Sequence, residues 1–339
     1  DLTAEAGVRQ WILSAGERTF WVLAAHHALI DAYGLSLVFK RGAALYQALE
    51  AGTEPAGAPL RSIVDVVQAD LDYLAAPERD ADAAFWEQLA AAHPAGDDDG
   101  GQARRVHSAR AELPALSGAW TVAATAAVAG ALARHSGGTD TALGILLMNR
   151  LGLAAARVPT VAVSMAPMWI GTGAATTVEE IVAQTEAAIR DAAAHQRYRG
   201  RSVGDDSTLT AGFGRQVGTV VNVKPFASTL RFAGRHAVHH SVDRGPVQDF
   251  SVTIAPQADG RLGVLIDGDA DRYTLDELTD LAAEIARFIT VFTADDAAQT
   301  PLGRLPLAAP AEIDEAARLG RGGVNPAGAE SALEQFDRV

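Results

Sequence analysis

The sequence contains no cysteine, which excludes disulfides, thiolate metal sites and a cysteine nucleophile. Aromatic residues are scarce at 6%, so a hydrophobic content of 48% rests mainly on alanine, valine, leucine and isoleucine. No run approaches the roughly 18 apolar residues that a membrane-spanning helix needs, and the first residues do not resemble a signal peptide. We therefore expect a cytoplasmic globular protein with no membrane partner.

Positive charge is also in short supply. The sequence has 28 basic and 42 acidic residues, a formal net charge of −14. A surface of that sign repels a phosphate backbone, so no nucleic acid partner is expected. The sequence also lacks a GxxxxGK[ST] loop and a GxGxxG turn between a strand and a helix. Binding of ATP or of a dinucleotide is therefore not expected.

Strand and helix patterns alternate along both halves of the chain, which predicts an α/β or α+β fold. Capping boxes at Thr177 and Glu180 and at Thr274 and Glu277 predict two helix starts. Other helices are predicted at Ser36–Glu50 (ending at Gly52), Ser62–Leu74, Asp80–Ala92 and Thr121–His135. Strands are predicted at Thr19–Ala25, Ala142–Met148, Thr160–Ile170, Gln216–Phe226, Asp249–Ala255 and Arg261–Asp267, the first of them buried and the last two paired.

Two segments have the composition of linkers. His93–Gly101 (HPAGDDDGG) is polar and rich in helix breakers, and we place the boundary between two lobes there, with lobes at residues 1–100 and 101–310. Its three aspartates are interpreted as a solvated loop and not as a metal site. After Pro306 the chain is rich in Ala, Pro and Gly, and residues 311–339 are interpreted as an interdomain linker.

The sharpest candidate for chemistry is the pair His26-His27, which ends a predicted strand four residues before Asp31. A histidine at a strand end can present its ring to a cleft, and imidazole exchanges protons near neutral pH. The spacing His-x-x-x-Asp is weak by itself, because it recurs at His239–Asp243, which we predict to be a surface loop or edge strand. From spacing alone, a packed core histidine is an equal alternative for His27.

The segment His26–Ala32 resembles the HHxxxDG motif of nonribosomal peptide synthetase condensation domains, which belong to the chloramphenicol-acetyltransferase-like superfamily. Further stretches are similar to this family in the same order: Phe85–Leu89 (FWxxxL), Ala194–Tyr198 (AHQxY), Leu302–Leu307 (the closing segment) and Ser331–Val339 (the start of an adenylation domain). Gly218–Phe226 and Gly245–Asp249 follow the pattern of catecholate-siderophore synthetases of the enterobactin type. Members of that subgroup take an aryl donor.

The resemblance implies two chloramphenicol-acetyltransferase-like lobes in a V-shaped pseudo-dimer, with the N-terminal lobe incomplete. It implies amide formation between a carrier-bound donor acyl thioester and a carrier-bound aminoacyl thioester, with His27 as catalytic residue. His26, Asp31, Arg150 and Asn222 would support the site, Asp31 pairing with Arg150, while His195 would pack the end of a helix. The implied partners are an upstream donor carrier, a downstream acceptor carrier and a downstream adenylation domain. No cofactor is implied, because substrates arrive on phosphopantetheine arms.

Two residues depart from the family pattern. Ala32 replaces the motif glycine, which would stiffen the turn if a positive φ were needed there. Ser164 replaces the asparagine of the siderophore subgroup. The alternatives are a free-standing acyltransferase of the same superfamily that uses coenzyme A, and a catalytically degenerate domain that recruits another protein. An epimerisation domain would carry a Ser-Trp-Arg signature after Asp31, where this sequence has Ala-Tyr-Gly-Leu-Ser-Leu. A heterocyclisation domain would carry aspartates in place of the two histidines. Neither type of domain is therefore expected.

Overall fold

The computed structural model describes residues 6–93, 103, 105–118, 120–198, 219–225, 230–242, 247, 249–257 and 259–321. Within these ranges, no helix has the length and apolar character needed to cross a membrane. Most predicted elements are present, and they fall into a helical N-terminal part and a larger part built on one sheet.

The N-terminal part consists of one hairpin and three helices. Its elements are β1 (Val8–Ala15), β2 (Arg18–Ala25), α1 (Ala32–Ala51), α2 (Ile63–Leu74) and α3 (Glu78–Ala92). Helix α1 stops at Gly52, whose φ of 63° is the left-handed conformation that glycine adopts without strain. Ser62 caps α2 by accepting a hydrogen bond from Val64 N–H, as helix starts favour.

Strand β2 is present, but the expectation that it is buried is wrong. Within the described residues it pairs with β1 alone, a strand that the sequence analysis did not predict, and all of its residues are exposed or half-buried. One face of the hairpin packs on α1, where the Trp21 ring meets Phe39 edge-on at 5.1 Å and fills the space left by Gly42. The side chains of Trp11, Leu13 and Phe20 remain exposed on the hairpin.

The larger part contains a mixed six-stranded sheet in the order β3-β10-β9-β6-β4-β5. The strands are β3 (Val106–Leu113), β4 (Asp140–Leu147), β5 (Ser164–Gly171), β6 (Thr219–Val223), β9 (Phe250–Pro256) and β10 (Leu262–Asp269). The three central strands β9, β6 and β4 run parallel, and the outer pairs are antiparallel. The predicted pairing of the last two strands is confirmed. Of the predicted strand over 216–226, residues 216–218 and 226 lie outside the described ranges.

Three helices cover one face of this sheet: α4 (Trp120–Ser136), α5 (Val178–Ala194) and α6 (Leu275–Phe292). Both predicted capping boxes are confirmed at the starts of α5 and α6. Alanines and Gly130 let α4 approach closely, and a Cβ at Gly130 would lie 2.9 Å from Leu302 and 3.3 Å from Phe288. The main core therefore lies between these helices and alternate residues of the strands.

Several regions connect the N-terminal part to the larger part. A small hairpin, β7 (Leu230–Phe232) and β8 (Arg235–Ala237), packs on α1, where Phe232 contacts the rings of Trp21 and Tyr46. On another side, α2 and α3 meet the end of α5 around Asp82, as described below. The C-terminal helix α7 (Pro310–Gly320) was not predicted and is exposed along its length. Residues 94–101 and 322–339 of the two predicted linkers lie outside the described ranges, so the domain boundaries remain predictions.

Candidate functional site

The histidine pair lies in a short turn between β2 and α1. His26 shapes this turn, because its Nδ1 atom accepts a hydrogen bond from the backbone N–H of Ala28 at 3.1 Å and its carbonyl accepts from Leu29 at 2.9 Å. The backbone N–H of His26 donates to Gly7. His27 follows in the same turn and is exposed. The alternative of a packed core histidine therefore does not apply to His27.

Asp31 fixes the other end of the turn and is 3% exposed. Its Oδ1 atom accepts a hydrogen bond from Gly34 N–H at 2.7 Å, which caps α1. Its Oδ2 atom accepts from the backbone N–H groups of Ala162 at 2.9 Å and Val163 at 3.0 Å. One carboxylate thus joins the start of α1 to the segment that leads into β5.

The guanidinium of Arg150 contacts both Asp31 oxygens, at 2.8 and 2.9 Å, and is 2% exposed. The loop that follows Arg150 wraps around the same guanidinium, which donates to the carbonyls of Ala155, Val158 and Thr160 at 2.6 to 2.9 Å. The predicted contact between Asp31 and Arg150 is therefore present. It joins an element of the N-terminal part to the end of β4.

Burial and hydrogen bonding act in opposite directions on the Asp31 carboxyl. Burial alone raises its pKa, but donation from Ala162, Gly34, Arg150 and Val163 outweighs this and holds the pKa below the ordinary value of 3.8. Asp31 is therefore a carboxylate at neutral pH. An ion pair that is this deeply buried is costly to break from one side, because the remaining charge loses its partner.

The replacement at Ala32 does not strain the turn. Ala32 is the first residue of α1, and the two non-glycine residues with positive φ in the described ranges are Asn149 and Ala233. The close approach falls instead on Gly34, where a Cβ would lie 2.7 Å from Ile30 and 2.9 Å from the carbonyl oxygen of Thr160. The condition under which Ala32 would stiffen the turn is therefore not met, because the helix supplies a negative φ at that position.

Asn222 lies at the same edge of the sheet as Arg150. Strand β6 runs parallel to β4, with Val220 opposite Gly144, so the carboxyl ends of both strands lie at one edge. Neighbouring strands lie about 4.8 Å apart. Val221 is buried under the helices, so the half-buried Asn222 points to the opposite face of the sheet. The fold thus brings Asn222 towards the end of the strand that delivers Arg150.

His195 lies away from this edge and packs the end of α5. Its Nδ1 atom contacts Asp82 at 2.7 Å, and its ring stacks on Phe85 at 4.0 Å. The other Asp82 oxygen accepts from the Tyr73 hydroxyl at 2.6 Å, and burial, followed by the contact with Asp82, raises the pKa of Tyr73. These contacts join α2, α3 and α5, and His195 is positioned to pack the helix end as the sequence analysis expected.

The second histidine pair has a different setting. His239 and His240 follow β8 in an exposed segment without regular structure, as predicted, while Asp243 lies outside the described ranges. The His239 ring approaches Phe39 of α1 at 5.6 Å. Burial, followed by the nearby Lys224 and His240 charges, lowers the pKa of His239.

Sequence reasoning missed several groups at the site. Asp31 accepts hydrogen bonds from the backbone N–H groups of Ala162 and Val163, and Arg150 donates to the carbonyl of Thr160. A pattern of side chains does not indicate which backbone groups will form such bonds. This use of residues 160–163 also explains why the predicted strand over 160–170 begins only at Ser164. Among the described residues, no group of three or more His, Asp or Glu side chains is arranged to hold a metal ion.

Comparisons with known proteins agree with the geometry. A sequence model of the condensation domain matches residues 1–95. Isonitrile lipopeptide synthase of Streptomyces coeruleorubidus is 30% identical over 284 residues, which is 79% of this chain and 19% of that protein. Enterobactin synthase component F of Escherichia coli O157:H7 is 28% identical over 318 residues, 88% of this chain and 25% of that protein. The chain thus spans a quarter or less of these two relatives.

A solved structure extends the likeness to the fold. The starter condensation domain of rhizomide synthetase, crystallised with C8-CoA and Leu-SNAC, is similar with a TM-score of 0.80 and 25% sequence identity, over 91% of this chain and 73% of that chain. Three findings indicate the same family. They are the mixed sheet, the family match over residues 1–95 and the similarity to synthetases over most of the chain. The chain belongs to the condensation-domain family of nonribosomal peptide synthetases.

Proposed function

We propose that this chain forms an amide bond between a carrier-bound donor acyl thioester and the amine of a carrier-bound aminoacyl thioester. The observation that carries the proposal is the exposed His27, in a turn whose far end is fixed by the buried pair of Asp31 and Arg150. A reactive group needs access to substrate and a rigid support, and this turn supplies both.

In the proposed reaction, the amine nitrogen attacks the carbonyl carbon of the donor thioester, the new C–N bond forms and the C–S bond breaks. The amine loses a proton and the departing sulfur gains one, so the exchange is balanced. An α-amine has an ordinary pKa of about 7.7–8.0, so much of it is protonated near neutral pH. His27 would accept the proton from the amine or stabilise the charge that develops at the tetrahedral centre.

The other site residues would position His27. His26 and Asp31 hold the two ends of the turn, and Arg150 holds Asp31. Asn222, at the same sheet edge, would present a polar side chain towards the reacting groups. None of these four residues needs to change protonation during the reaction.

The proposed partners are carrier proteins that bring the two thioesters on phosphopantetheine arms, and an adenylation domain that follows in the same polypeptide. The similarity to enterobactin synthase component F supports an aryl acid as one candidate donor. The rhizomide synthetase domain, crystallised with C8-CoA, supports a medium-chain acyl group as a second candidate.

Mass spectrometry of carrier-bound products tests the proposal. Donor carriers loaded with an aryl acid, an eight-carbon acyl group or an aminoacyl group would be mixed with aminoacyl acceptor carriers and this chain. We expect one donor class to yield a product that stays on the acceptor carrier, with a mass gain equal to the donor acyl group. Product from acyl-CoA at the same rate without a donor carrier would instead identify the coenzyme A-dependent acyltransferase. No product from any donor with the folded chain would contradict catalysis and favour the recruitment alternative.

A further inference from the structure

Asn149 has an unusual backbone at the point where β4 ends. Its φ is 48°, in the left-handed region that is rare for residues with a Cβ, and asparagine tolerates this region better than most. It is 4% exposed and directly precedes Arg150. The left-handed residue is therefore the last one before the chain delivers the buried guanidinium.

The side chain of Asn149 reaches the other arm of the same loop. Its Nδ2 atom donates to the hydroxyl of Ser164 at 2.8 Å, at the first position of β5. Ser164 directly follows Val163, whose N–H group binds Asp31. The amide of Asn149 thus joins the exit of β4 to the segment that holds Asp31 from the opposite side.

Only one of the two polar atoms of the Asn149 side chain has a hydrogen-bond partner among the described residues. Its Oδ1 atom is buried and meets no hydrogen-bond partner within the described part of the chain. Buried polar atoms in folded proteins are almost always paired, so an unpaired one needs another reason for its place. The backbone conformation supplies that reason, because an αL residue at this point turns Arg150 into the loop over 151–160 that wraps it.

We propose that Asn149 is a positioning residue for condensation: its left-handed backbone turns Arg150 towards Asp31. The link to condensation rests on the proposed role of His27, whereas the structural effect does not. Asn149→Ala would leave the net charge of the chain unchanged but would disfavour the left-handed φ, whereas Asn149→Gly would adopt that φ freely.

Hydrogen exchange measures the structural effect without any substrate. The amides of Gly34, Ala162 and Val163 all donate to Asp31, so they report whether that carboxylate stays in place. In Asn149→Ala we expect these amides to exchange about tenfold faster, because alanine lacks the tolerance that asparagine has for a left-handed φ. In Asn149→Gly we expect rates within about threefold of wild type, because glycine adopts the same φ.

Gly137→Ala is the matched control. Gly137 has a φ of 68°, a Cβ there would meet nothing within 4 Å, and it precedes β4 at the end opposite Asn149. Gly137→Ala places an alanine in the same left-handed region of φ, in the turn between α4 and β4 and away from the site. Equal acceleration at the three amides in Gly137→Ala and Asn149→Ala would overturn the proposal, because the effect would then be general destabilisation.

Two further results separate the remaining possibilities. If Asn149→Ala does not fold, the exchange rates of Asn149→Gly still test the backbone role of Asn149. Loss of protection at the three amides in Asn149→Gly would overturn that role.

Kinetics test the link to condensation. With an active donor and acceptor pair, Asn149→Ala should lower kcat and leave KM near wild type, and Asn149→Gly should have a kcat near that of wild type. Faster exchange with an unchanged kcat would overturn the link to condensation. An inactive wild type would count against the proposed function, while the exchange result would still judge the structural role of Asn149.

Discussion

The segments at His27 and His239 both have the spacing His-x-x-x-Asp, and their surroundings in the fold are different. At His27 the histidine is exposed in a turn, and Asp31 is buried between a helix start and an arginine. At His239 the histidines lie in an exposed segment after a short hairpin, and that ring contacts Phe39. The spacing is the same, so it cannot be what makes a site.

What distinguishes the first segment is the structure on either side of it. A strand precedes His27, a helix begins directly after Asp31, and residues far along the chain supply both a guanidinium and two N–H donors. The described residues around His239 show no helix start and no buried arginine beside the histidine pair. A site of this type therefore depends on a buried support for the turn, which can be tested by damaging that support.

Removal of the arginine should have the largest effect on folding stability. Arg150→Ala leaves Asp31 buried without its ionic partner, and we expect a loss of about 3–5 kcal/mol in the free energy of unfolding. Urea denaturation at neutral pH measures this loss. Arg61→Ala is the control, because Arg61 forms an ion pair with Asp65 on the surface, where we expect a loss of about 1 kcal/mol or less. Equal losses in the two variants would show that Asp31 does not need Arg150.

Adding a methyl group at the start of α1 should lower the free energy of unfolding by an intermediate amount. In Gly34→Ala the new Cβ would lie 2.9 Å from the Thr160 carbonyl, which also accepts from Arg150. Overpacking of this kind costs about 1–3 kcal/mol, and urea denaturation again reports it. Gly320→Ala, where the added Cβ meets nothing within 4 Å, should change stability little. A Gly34→Ala chain as stable as wild type would mean that the contact between α1 and Thr160 is loose.

The smallest change should be the loss of stability in acid, where the carboxylate of Asp31 becomes protonated. The pKa of Asp31 lies below its ordinary value of 3.8, so the unfolded chain binds this proton more readily than the folded chain. The stability that Asp31 contributes is therefore present above about pH 3.8 and is lost as the pH falls further. Asp31→Asn should be less stable than wild type at pH 5, and the difference should narrow towards pH 3. A constant difference across that range would contradict the ionised state of Asp31.

Much of this arrangement could be predicted from the sequence, and the remainder has identifiable physical causes. The two capping boxes and the helix stop at Gly52 depend on local chemistry, and they were predicted correctly. The exposure of β2 was not, because an apolar run does not show how many strands will pair with it. The close packing at Gly34 was also missed, because the position that needs a small residue depends on where Thr160 lies in the folded chain.

Some groups of the candidate site could likewise be found from the sequence, and others could not. The residue types at 27, 31 and 150 were found through the resemblance, and the structure brings Asp31 and Arg150 into contact. The donors from Ala162 and Val163 and the left-handed Asn149 could not be found, since backbone groups and φ angles leave little trace in a single sequence. Long-range packing, which joins residues more than 100 positions apart, supplies this part of the site.

The most direct test of the central claim compares two exposed histidines. With the donor and acceptor pair identified by mass spectrometry, single-turnover condensation would be measured for His27→Ala and for His240→Ala. We predict that His27→Ala slows condensation by about 10²- to 10⁴-fold, the range for a lost general base, while its unfolding free energy stays within about 0.5 kcal/mol of wild type. His240→Ala should keep the wild-type rate. Condensation by His27→Ala at the wild-type rate would contradict the account.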